Sequence, residues 1–322
     1  MKHQFLCHLK DTLYREPIFV LKYYLHKHGV VKQSSAIFMA DGKMAHGGLF
    51  DRLKGAISIY ALSKLYGKRF GIEFTDPFPL ENYLEPNQYD WRLKDGEVFY
   101  SFPHSRPVIA YGELFHPKRL MRAWDGQTHF YFGGDILREI NIKFGTAFNW
   151  TQLYEELFRP TAYLRQYVEG VRKEIAANYY CIHFRFLNQL GEKVESRGSK
   201  SLCEEERRTL VSSCLNKIRE IVSAQLVSLQ AVLFSDSMVF LDIVRKELPN
   251  IFIVSGNVKH IDTVQDTSDD ENLKLFTDVY LMAGAQKVYS IVGKGLYPSA
   301  FPEYSAKIGN RPFERIKISS GV

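Results

Sequence analysis

The sequence predicts an α/β protein built from two Rossmann-like domains that face a cleft. In the second half of the 322-residue chain, strands alternate with helices, which is typical of a doubly wound parallel sheet. Near the start, two short apolar strands flank an amphipathic helix, and such a β-α-β unit favours a parallel sheet. At about 150 residues per domain, the length fits two domains or one large one.

The second half carries the more regular pattern. It predicts strands at 179–186, 231–235, 251–254 and 287–292, and helices at 204–225, 238–247 and 272–283. Before it, residues 151–178 predict one or two helices broken at Pro160. We place the domain boundary in this segment, which gives an N-terminal domain over 1–165 and a C-terminal domain over 166–322.

The first half begins with a strand at 36–40, an amphipathic helix at 49–66 and a strand at 70–74. From residue 76 to 148 the pattern is irregular and dense in proline and aromatic residues, which predicts surface loops. These loops either surround a concave site or are ordinary loop packing.

Composition excludes a mostly disordered chain. A hydrophobic fraction of 45% with 24% charged residues is that of a folded globular chain. The net charge of +6 is spread along the chain and suits a small anionic ligand, an acidic polymer or a membrane surface equally well. It is also compatible with solubility alone, and we expect no nucleic-acid partner.

Targeting and redox signals point to a cytoplasmic protein. The sequence contains no run of 18 apolar residues, so we expect no segment to span a membrane. Residues 1–20 lack the apolar core of a secretory signal. The four cysteines have no CxxC spacing, so we expect reduced thiols rather than a zinc site or a disulfide scaffold.

A first candidate site follows the first strand, where His46, Gly47, Gly48 and Asp51 open a helix. Glycines let backbone N–H groups approach a ligand, and a helix N-terminus favours an anion. A tight strand-to-helix turn explains the same residues.

A second candidate lies on the strand at 179–186. Alternation puts His183 and Arg185 on one face, opposite the apolar residues between them. A guanidinium near the carboxyl end of a buried strand needs a partner, which is either a carboxylate or a ligand phosphate.

A third candidate is Asp236 and Ser237, at the carboxyl tip of the strand at 231–235. Small polar residues at this point bond ligand hydroxyls or cap the following helix. On residue type alone, the helix cap is favoured.

The fourth candidate region begins with Asp278, inside an otherwise apolar helix, where Lys274 one turn earlier is the simple ion-pair partner. Gly293, Lys294 and Gly295 then follow a strand and precede residues 297–300, which we expect to open a helix. A strand, a glycine-rich loop and a helix N-terminus in this order form a plausible phosphate cradle.

Taken together, these four segments resemble the GDP-fucose-dependent fucosyltransferases, the group of α1,2- and α1,6-fucosyltransferases, the nodulation fucosyltransferase and the protein O-fucosyltransferases. The resemblance is carried by HGGLFDRLKGAISIYALSKLYG at 46–67, IHFRF at 182–186, FSDS at 234–237 and FTDVYLMAGAQKVYSIVGKG at 276–295.

The resemblance implies a GT-B architecture and an inverting transfer of fucose from GDP-fucose to a glycan hydroxyl, with no metal or other cofactor. The C-terminal domain would bind GDP and the N-terminal domain would face the acceptor. In a cytoplasmic enzyme, a capsule repeat, an O-antigen repeat or a lipid-linked oligosaccharide would be the acceptor. The basic balance would suit docking at an anionic inner leaflet.

The resemblance also implies roles for individual residues. Arg185 would hold the β-phosphate and stabilise the leaving GDP, His183 would lie near the nucleoside, and Asp278 would read guanine. Asp236, with Ser237 beside it, would lie near the nucleotide, and the loop at Gly47 and Gly48 would approach the diphosphate. Asp51 and His46 flank that loop and are the candidates for the base, although Asp51 could instead cap the helix or pair with Arg52.

The chain departs from the family pattern at three points. The second arginine of the first motif is Phe186, and a downstream aspartate is Asn188. The serine-rich phosphate loop is replaced by Gly293, Lys294 and Gly295, so a lysine charge would substitute for hydroxyl contacts. Three alternatives follow: a GT-B enzyme with another nucleotide sugar, a binding protein with a decayed site, and a phosphate-ester hydrolase.

Overall fold

A computed structural model describes residues 34–44, 46–100, 104–110, 126–192, 201–226, 228–256 and 268–318, besides Pro17 and Leu21. The expectations for Cys7 and for the first 20 residues therefore lie, apart from Pro17, outside the described residues. The chain divides into two compact units, one formed by 1–80 and 86–159 and the other by 81–85 and 160–322.

The elements are numbered in chain order. The strands are β1 (Ser35–Ala40), β2 (Arg69–Phe74), β3 (Leu84–Pro86), β4 (Ser105–Ala110), β5 (Gln127–Phe132), β6 (Phe158–Pro160), β7 (Tyr179–Phe184), β8 (Gln230–Ser235), β9 (Phe252–Ile253), β10 (Val288–Val292) and β11 (Phe313–Lys317). The helices are α1 (Leu49–Leu65), α2 (Leu137–Phe144), α3 (Trp150–Leu157), α4 (Ala162–Arg172), α5 (Glu204–Ser223), α6 (Met238–Glu247), α7 (Asp269–Gly284) and α8 (Phe301–Ile308), with a 3-10 turn at Leu80–Asn82.

The first unit contains a parallel sheet in the order β2-β1-β5-β4. The predicted β-α-β unit is confirmed as β1, α1 and β2, with β2 at one edge of the sheet. Helix α1 lies close to the sheet because Gly55 has no side chain, and a Cβ at that position would overlap the carbonyl oxygen of Phe132. Glycine therefore sets the distance between this helix and its sheet.

The prediction of loops over residues 76–148 is wrong for the segments that form β3, β4, β5, α2 and the short 3-10 turn. Strand β5 is fully buried although it begins with polar residues, because those residues find partners. The Gln127 amide donates to the Glu97 carbonyl at 2.6 Å, and a ring nitrogen of His129 lies 2.9 Å from the Gln127 side-chain oxygen. Strand β4 tolerates Pro107 because it lies at the sheet edge.

The second unit contains a five-stranded parallel sheet in the order β11-β10-β7-β8-β9. Its predicted strands and helices are confirmed, with β7 ending at Phe184 rather than at Phe186 and an unforeseen edge strand, β11. Side chains of β7 alternate between two apolar clusters. Ile182 and Phe184 pack with α5 and α6, whereas Tyr179 and Cys181 pack with α7 and α8. Helices therefore cover both faces, as a doubly wound sheet requires.

The described cysteines, Cys181, Cys203 and Cys214, are free thiols. Burial raises the pKa of Cys181 and that of Cys214, the latter to about 12, so both remain protonated and unreactive near neutral pH. Within the described part of the chain, no helix has both the length and the apolar character needed to cross a membrane.

Candidate functional site

Arg185 follows the last residue of β7, the central strand of the second sheet. Its Nη1 donates to the Ser299 hydroxyl at 3.3 Å, and its guanidinium lies 5.2 Å from the centre of the Tyr297 ring. The Tyr297 N–H in turn donates to the Arg185 carbonyl at 2.8 Å. The loop before α8 thus holds both the backbone and the side chain of Arg185, which is half-buried at the carboxyl edge where α/β sheets bind ligands.

Asp236 fastens the turn that carries Arg185. Its carboxylate, 6% exposed, accepts hydrogen bonds from the Phe186 N–H at 2.7 Å and the Leu187 N–H at 2.8 Å. Leu187 has a φ of 55°, a left-handed conformation that a leucine adopts only where its surroundings enforce it. Burial raises the pKa of Asp236 to about 6, against the lowering effect of the two N–H groups and Arg185. The structure therefore gives Asp236 a positioning role.

Ser237 caps α6, which confirms the helix-cap interpretation. Its hydroxyl oxygen accepts from the Phe240 N–H at 3.1 Å and its hydroxyl group donates to Glu192. Glu192 also accepts from the N–H groups of Met238 at 2.9 Å and Val239 at 3.2 Å. A carboxylate at a helix N-terminus is stabilising. The sequence contains no local signal for this contact, because Glu192 precedes the helix by 46 residues.

The ion pair expected within α7 is confirmed. Lys274 Nζ donates to both carboxylate oxygens of Asp278, at 2.6 and 2.5 Å. The residues are only 5% and 7% exposed, so the pair is buried. Burial raises the pKa of Asp278, and Lys274 opposes that rise. The guanine-reading role of Asp278 stays a prediction, since both of its oxygens already accept from a lysine.

The loop after β10 forms a tight turn in which the Leu296 N–H donates to the Gly293 carbonyl at 3.1 Å. Gly295 has a φ of 82°, and a Cβ there would lie 2.8 Å from the Leu210 side chain, so glycine is required for packing. Lys294 is exposed. Helix α8 begins at Phe301, later than the expected start at residues 297–300.

His183 is buried inside β7, with its ring 6.0 Å from the Phe301 ring. The neighbouring residues of the strand belong to the apolar core. Phe186, just beyond the strand, is fully buried, and its ring centre lies 4.7 Å from that of Phe240. The position of the family's second arginine therefore belongs to the core of this protein.

In the first unit, Gly47 and Gly48 lead into α1, and Gly48 is the N-cap residue. The buried Arg52 side chain holds this turn, since Nε donates to the Gly47 carbonyl at 3.0 Å and Nη1 donates to the Asp76 carbonyl. Asp51 pairs with Lys54 at 2.7 Å rather than with Arg52, and Asp51 remains 45% exposed. A Cβ on Gly47 would overlap the Asp51 carboxylate, which explains that glycine sterically.

His46 lies beside the same turn. Burial, and secondarily the nearby Arg52 charge, lowers the pKa of His46 to about 4. The imidazole is therefore neutral at pH 7, where it is a hydrogen-bonding group and a weak base. Among the described residues, no group of three His, Cys, Asp or Glu side chains is placed to hold a metal ion.

The structure brings Arg185 and Asp236 together with Tyr297 and Ser299 at one sheet edge. The loop over 293–295 leads directly into Tyr297, whose N–H donates to the Arg185 carbonyl. His46, Gly47, Gly48 and Asp51 instead cluster in the other unit. Sequence reasoning missed the roles of Tyr297 and Ser299. Their position directly after a glycine-rich loop was the available signal.

The comparisons with known proteins establish a likeness of fold. Neither a protein-family model nor a curated protein sequence matches the chain. Solved structures do match it, and they show that the chain has a GT-B-like fold of two Rossmann-like units, which confirms the predicted fold class.

Two sets of structures illustrate this likeness. NodZ α-1,6-fucosyltransferase soaked with GDP-fucose matches with a TM-score of 0.54 at 12% identity, covering 86% of this chain and 92% of that one. Fucosyltransferase NodZ from Bradyrhizobium matches at 0.52 and 13% identity over 87% and 92% of the two chains. A variant of Arabidopsis thaliana FUT1 in complex with GDP matches at 0.56 and 10% identity, over 94% of this chain and 74% of that one. The chain is thus similar in fold to fucosyltransferases.

Proposed function

We propose that the protein transfers fucose from GDP-fucose to a hydroxyl group of a glycan acceptor. The observation that carries the proposal is Arg185, held at the carboxyl end of a central strand by Ser299 and Tyr297. The shared fold adds support, since structures similar to this chain contain GDP or GDP-fucose. The proposed reaction is inverting and needs no metal.

The chemistry requires stabilisation of a departing diphosphate. The acceptor oxygen forms a bond to the fucose C1 while the bond from C1 to the β-phosphate oxygen breaks, and GDP leaves with the bonding electrons. Negative charge grows on the leaving group, and a preorganised guanidinium stabilises charge at that place. The sugar passes through an oxocarbenium-like state, as in glycoside hydrolysis. The acceptor proton passes to a base for which Asp51 and His46 are the candidates.

The remaining donor contacts are those that the family resemblance implies. Gly47 and Gly48 would approach the diphosphate, and Lys294 would add a point charge. The acceptor would bind the first unit, and GDP the second. We propose a cytoplasmic enzyme that docks at an anionic inner leaflet, with a capsule, O-antigen or lipid-linked saccharide as acceptor.

Replacement of Arg185 tests the proposal directly. We expect Arg185→Ala to lower kcat/KM for transfer by at least about 100-fold, because a positioned donor to a developing charge contributes on that order. Arg185→Lys keeps the charge but loses the planar fork, so it should recover only part of the activity. The measurement is GDP release with a panel of glycan acceptors.

The matched control is Arg219→Ala, which removes a surface arginine lying 3.7 Å from Glu247 in the same unit. It should leave both folding and transfer unchanged. Transfer by Arg185→Ala near the wild-type rate would remove the central claim.

Donor choice is tested by calorimetry and thermal shift with GDP, GDP-fucose, GDP-mannose, UDP and UDP-glucose, with and without EDTA. A ligand that binds only the native state raises its stability. Stabilisation by GDP and GDP-fucose that survives EDTA supports the proposal, whereas stabilisation that EDTA removes contradicts the metal-independent part.

A second candidate is a transferase of the same fold that uses another nucleotide sugar. The observation that favours it is the Lys274–Asp278 pair, because a carboxylate with both oxygens occupied is a changed base-reading group. Stabilisation by UDP or UDP-glucose, with no response to GDP, would select this candidate.

A third candidate is a binding protein without turnover, favoured by the burial of Phe186 where the resemblance implies a second arginine. Tight GDP-fucose binding with no GDP release across the acceptor panel would select it.

A further inference from the structure

One side of the Arg185 site is formed by an exposed aromatic ring. We infer that the Tyr297 ring is the surface on which the sugar of the donor nucleotide packs. The inference rests on the proposed transfer of fucose from GDP-fucose. It adds to that proposal a residue that contacts the sugar of the donor rather than its nucleotide.

Exposure distinguishes Tyr297 from the other residues around Arg185. Asp236, Phe186 and Ser299 are all buried, whereas Tyr297 is 50% exposed. Asp236 binds the backbone just beyond Arg185, and Ser299 accepts from the Arg185 side chain. Among these four neighbours, Tyr297 is the one that faces solvent beside the guanidinium, so there is space against its ring for a ligand.

The backbone of Tyr297 is held in place before any ligand binds. Its N–H donates to the Arg185 carbonyl at 2.8 Å. Leu296 on one side and Ser299, just past Pro298, are buried. Pro298 has a fixed φ and disfavours a helical conformation for the residue before it. A tyrosine has only two side-chain torsions, so a ring on a fixed backbone loses little entropy when it binds a ligand.

Bond lengths bring the sugar of the donor close to this ring. In the proposed reaction Arg185 binds the β-phosphate, and charge-assisted hydrogen bonds place phosphate oxygens about 2.8 Å from guanidinium nitrogens. The sugar C1 is two bonds from the β-phosphorus. The centre of the Tyr297 ring lies 5.2 Å from the guanidinium carbon of Arg185. A sugar attached to that phosphate therefore comes within reach of the ring.

The chemistry of the ring suits a sugar better than a phosphate. The face of an aromatic ring is apolar and carries negative charge density, which repels an anion. The C–H groups of a sugar pack against such a face, and the methyl group of fucose adds apolar surface to them. The phenolic hydroxyl can donate to or accept from a sugar hydroxyl. Arg185 and Tyr297 thus divide the donor, with the diphosphate on the guanidinium and the sugar on the ring.

Replacement of Tyr297 by alanine separates the contribution of the sugar from that of the nucleotide. We expect calorimetry to show GDP-fucose binding about 3- to 10-fold more weakly than to the wild type, which is the size of one aromatic contact. GDP should bind within about twofold of its wild-type affinity. In transfer assays the KM for GDP-fucose should rise with the loss of affinity. Tyr297→Phe keeps the ring and should bind GDP-fucose nearly as well as the wild type.

Three results would overturn the inference. An equal loss of affinity for GDP and GDP-fucose in Tyr297→Ala would mean that the ring acts only by positioning Arg185. A higher KM for the glycan acceptor with unchanged GDP-fucose affinity would place the ring against the acceptor. Unchanged affinities together with unchanged KM values would show that the ring contacts neither substrate.

The matched control is Tyr167→Ala, which removes another exposed tyrosine, on α4 of the same unit. It should leave the affinities for GDP and GDP-fucose at their wild-type values. Failure of the wild-type protein to bind GDP would overturn the proposed function together with this inference. GDP binding by the wild type, with no selective loss of GDP-fucose affinity in Tyr297→Ala, overturns the inference alone.

Discussion

Replacing Asp236 by asparagine should make the protein more stable relative to the wild type as the pH rises from 4 to 7, and it should impair activity. Asparagine has the shape of a protonated aspartic acid, with one oxygen acceptor in place of two. It keeps one of the hydrogen bonds from Phe186 and Leu187 and loses the other. It also removes the cost of keeping a buried carboxylate charged.

The magnitude follows from the pKa of Asp236, which burial raises from 3.8 to about 6. Because the folded state binds the proton more tightly than the unfolded chain, the full stability is present below pH 3.8 and is lost as the pH rises through 6. The shift corresponds to about 3 kcal/mol at about 1.4 kcal/mol per pKa unit. Asp236→Asn should therefore be less stable than the wild type near pH 4, by about 1 to 3 kcal/mol for the N–H that loses its acceptor. Between pH 4 and pH 7 its stability relative to the wild type should rise by about 3 kcal/mol.

The assay is urea unfolding of both proteins between pH 4 and pH 7, followed by circular dichroism. The difference between the two proteins isolates residue 236, since every other titrating group is shared. Transfer activity should fall by about tenfold or more, because the turn that carries Arg185 loses one of the two hydrogen bonds that hold it. A stability difference that does not change with pH, or one that favours the wild type more at pH 7 than at pH 4, would refute the reasoning.

Three further changes test the structure. Gly55→Ala should cost about 2 kcal/mol or more in urea unfolding, because the new methyl group overlaps the Phe132 carbonyl; unchanged stability would place α1 elsewhere. Phe186→Arg should destabilise the protein by about 3 kcal/mol or more, since it buries an unpaired charge, and a rise in GDP affinity instead would restore the site implied by the resemblance. Tyr83→Phe should cost about 1 to 2 kcal/mol by removing the hydroxyl that donates to Asp269 at 2.5 Å, and an unaltered midpoint would show that this bond contributes nothing.

Most of the second unit could be predicted from sequence because its strands and helices have distinct hydrophobic periods. Ile182 and Phe184 occupy alternate positions along β7, and serine N-caps mark the starts of α6 and α7. Strand β5 could not be predicted in this way. Its polar residues, among them Gln127 and His129, look like loop residues until their buried partners are known.

The candidate site also contains residues that could be predicted from the sequence and residues that could not. Arg185 could be singled out because a charged residue on a buried strand needs an explanation. Its supports, Ser299 and Tyr297, lie more than 110 residues along the chain, and only strand pairing brings β7 beside β10 and the loop that follows.

The sequence by itself determined the α/β class, the order of most elements and the arginine that the proposed chemistry needs, because these depend on local hydrophobic period and residue type. The tertiary structure decided what the other polar residues do. In the folded protein, Asp236 accepts hydrogen bonds from the turn that carries Arg185, and Asp278 pairs with Lys274. Phe186 lies in the core. These roles depend on which distant groups meet in a low-dielectric interior, where a buried charge or hydrogen-bond donor must be matched.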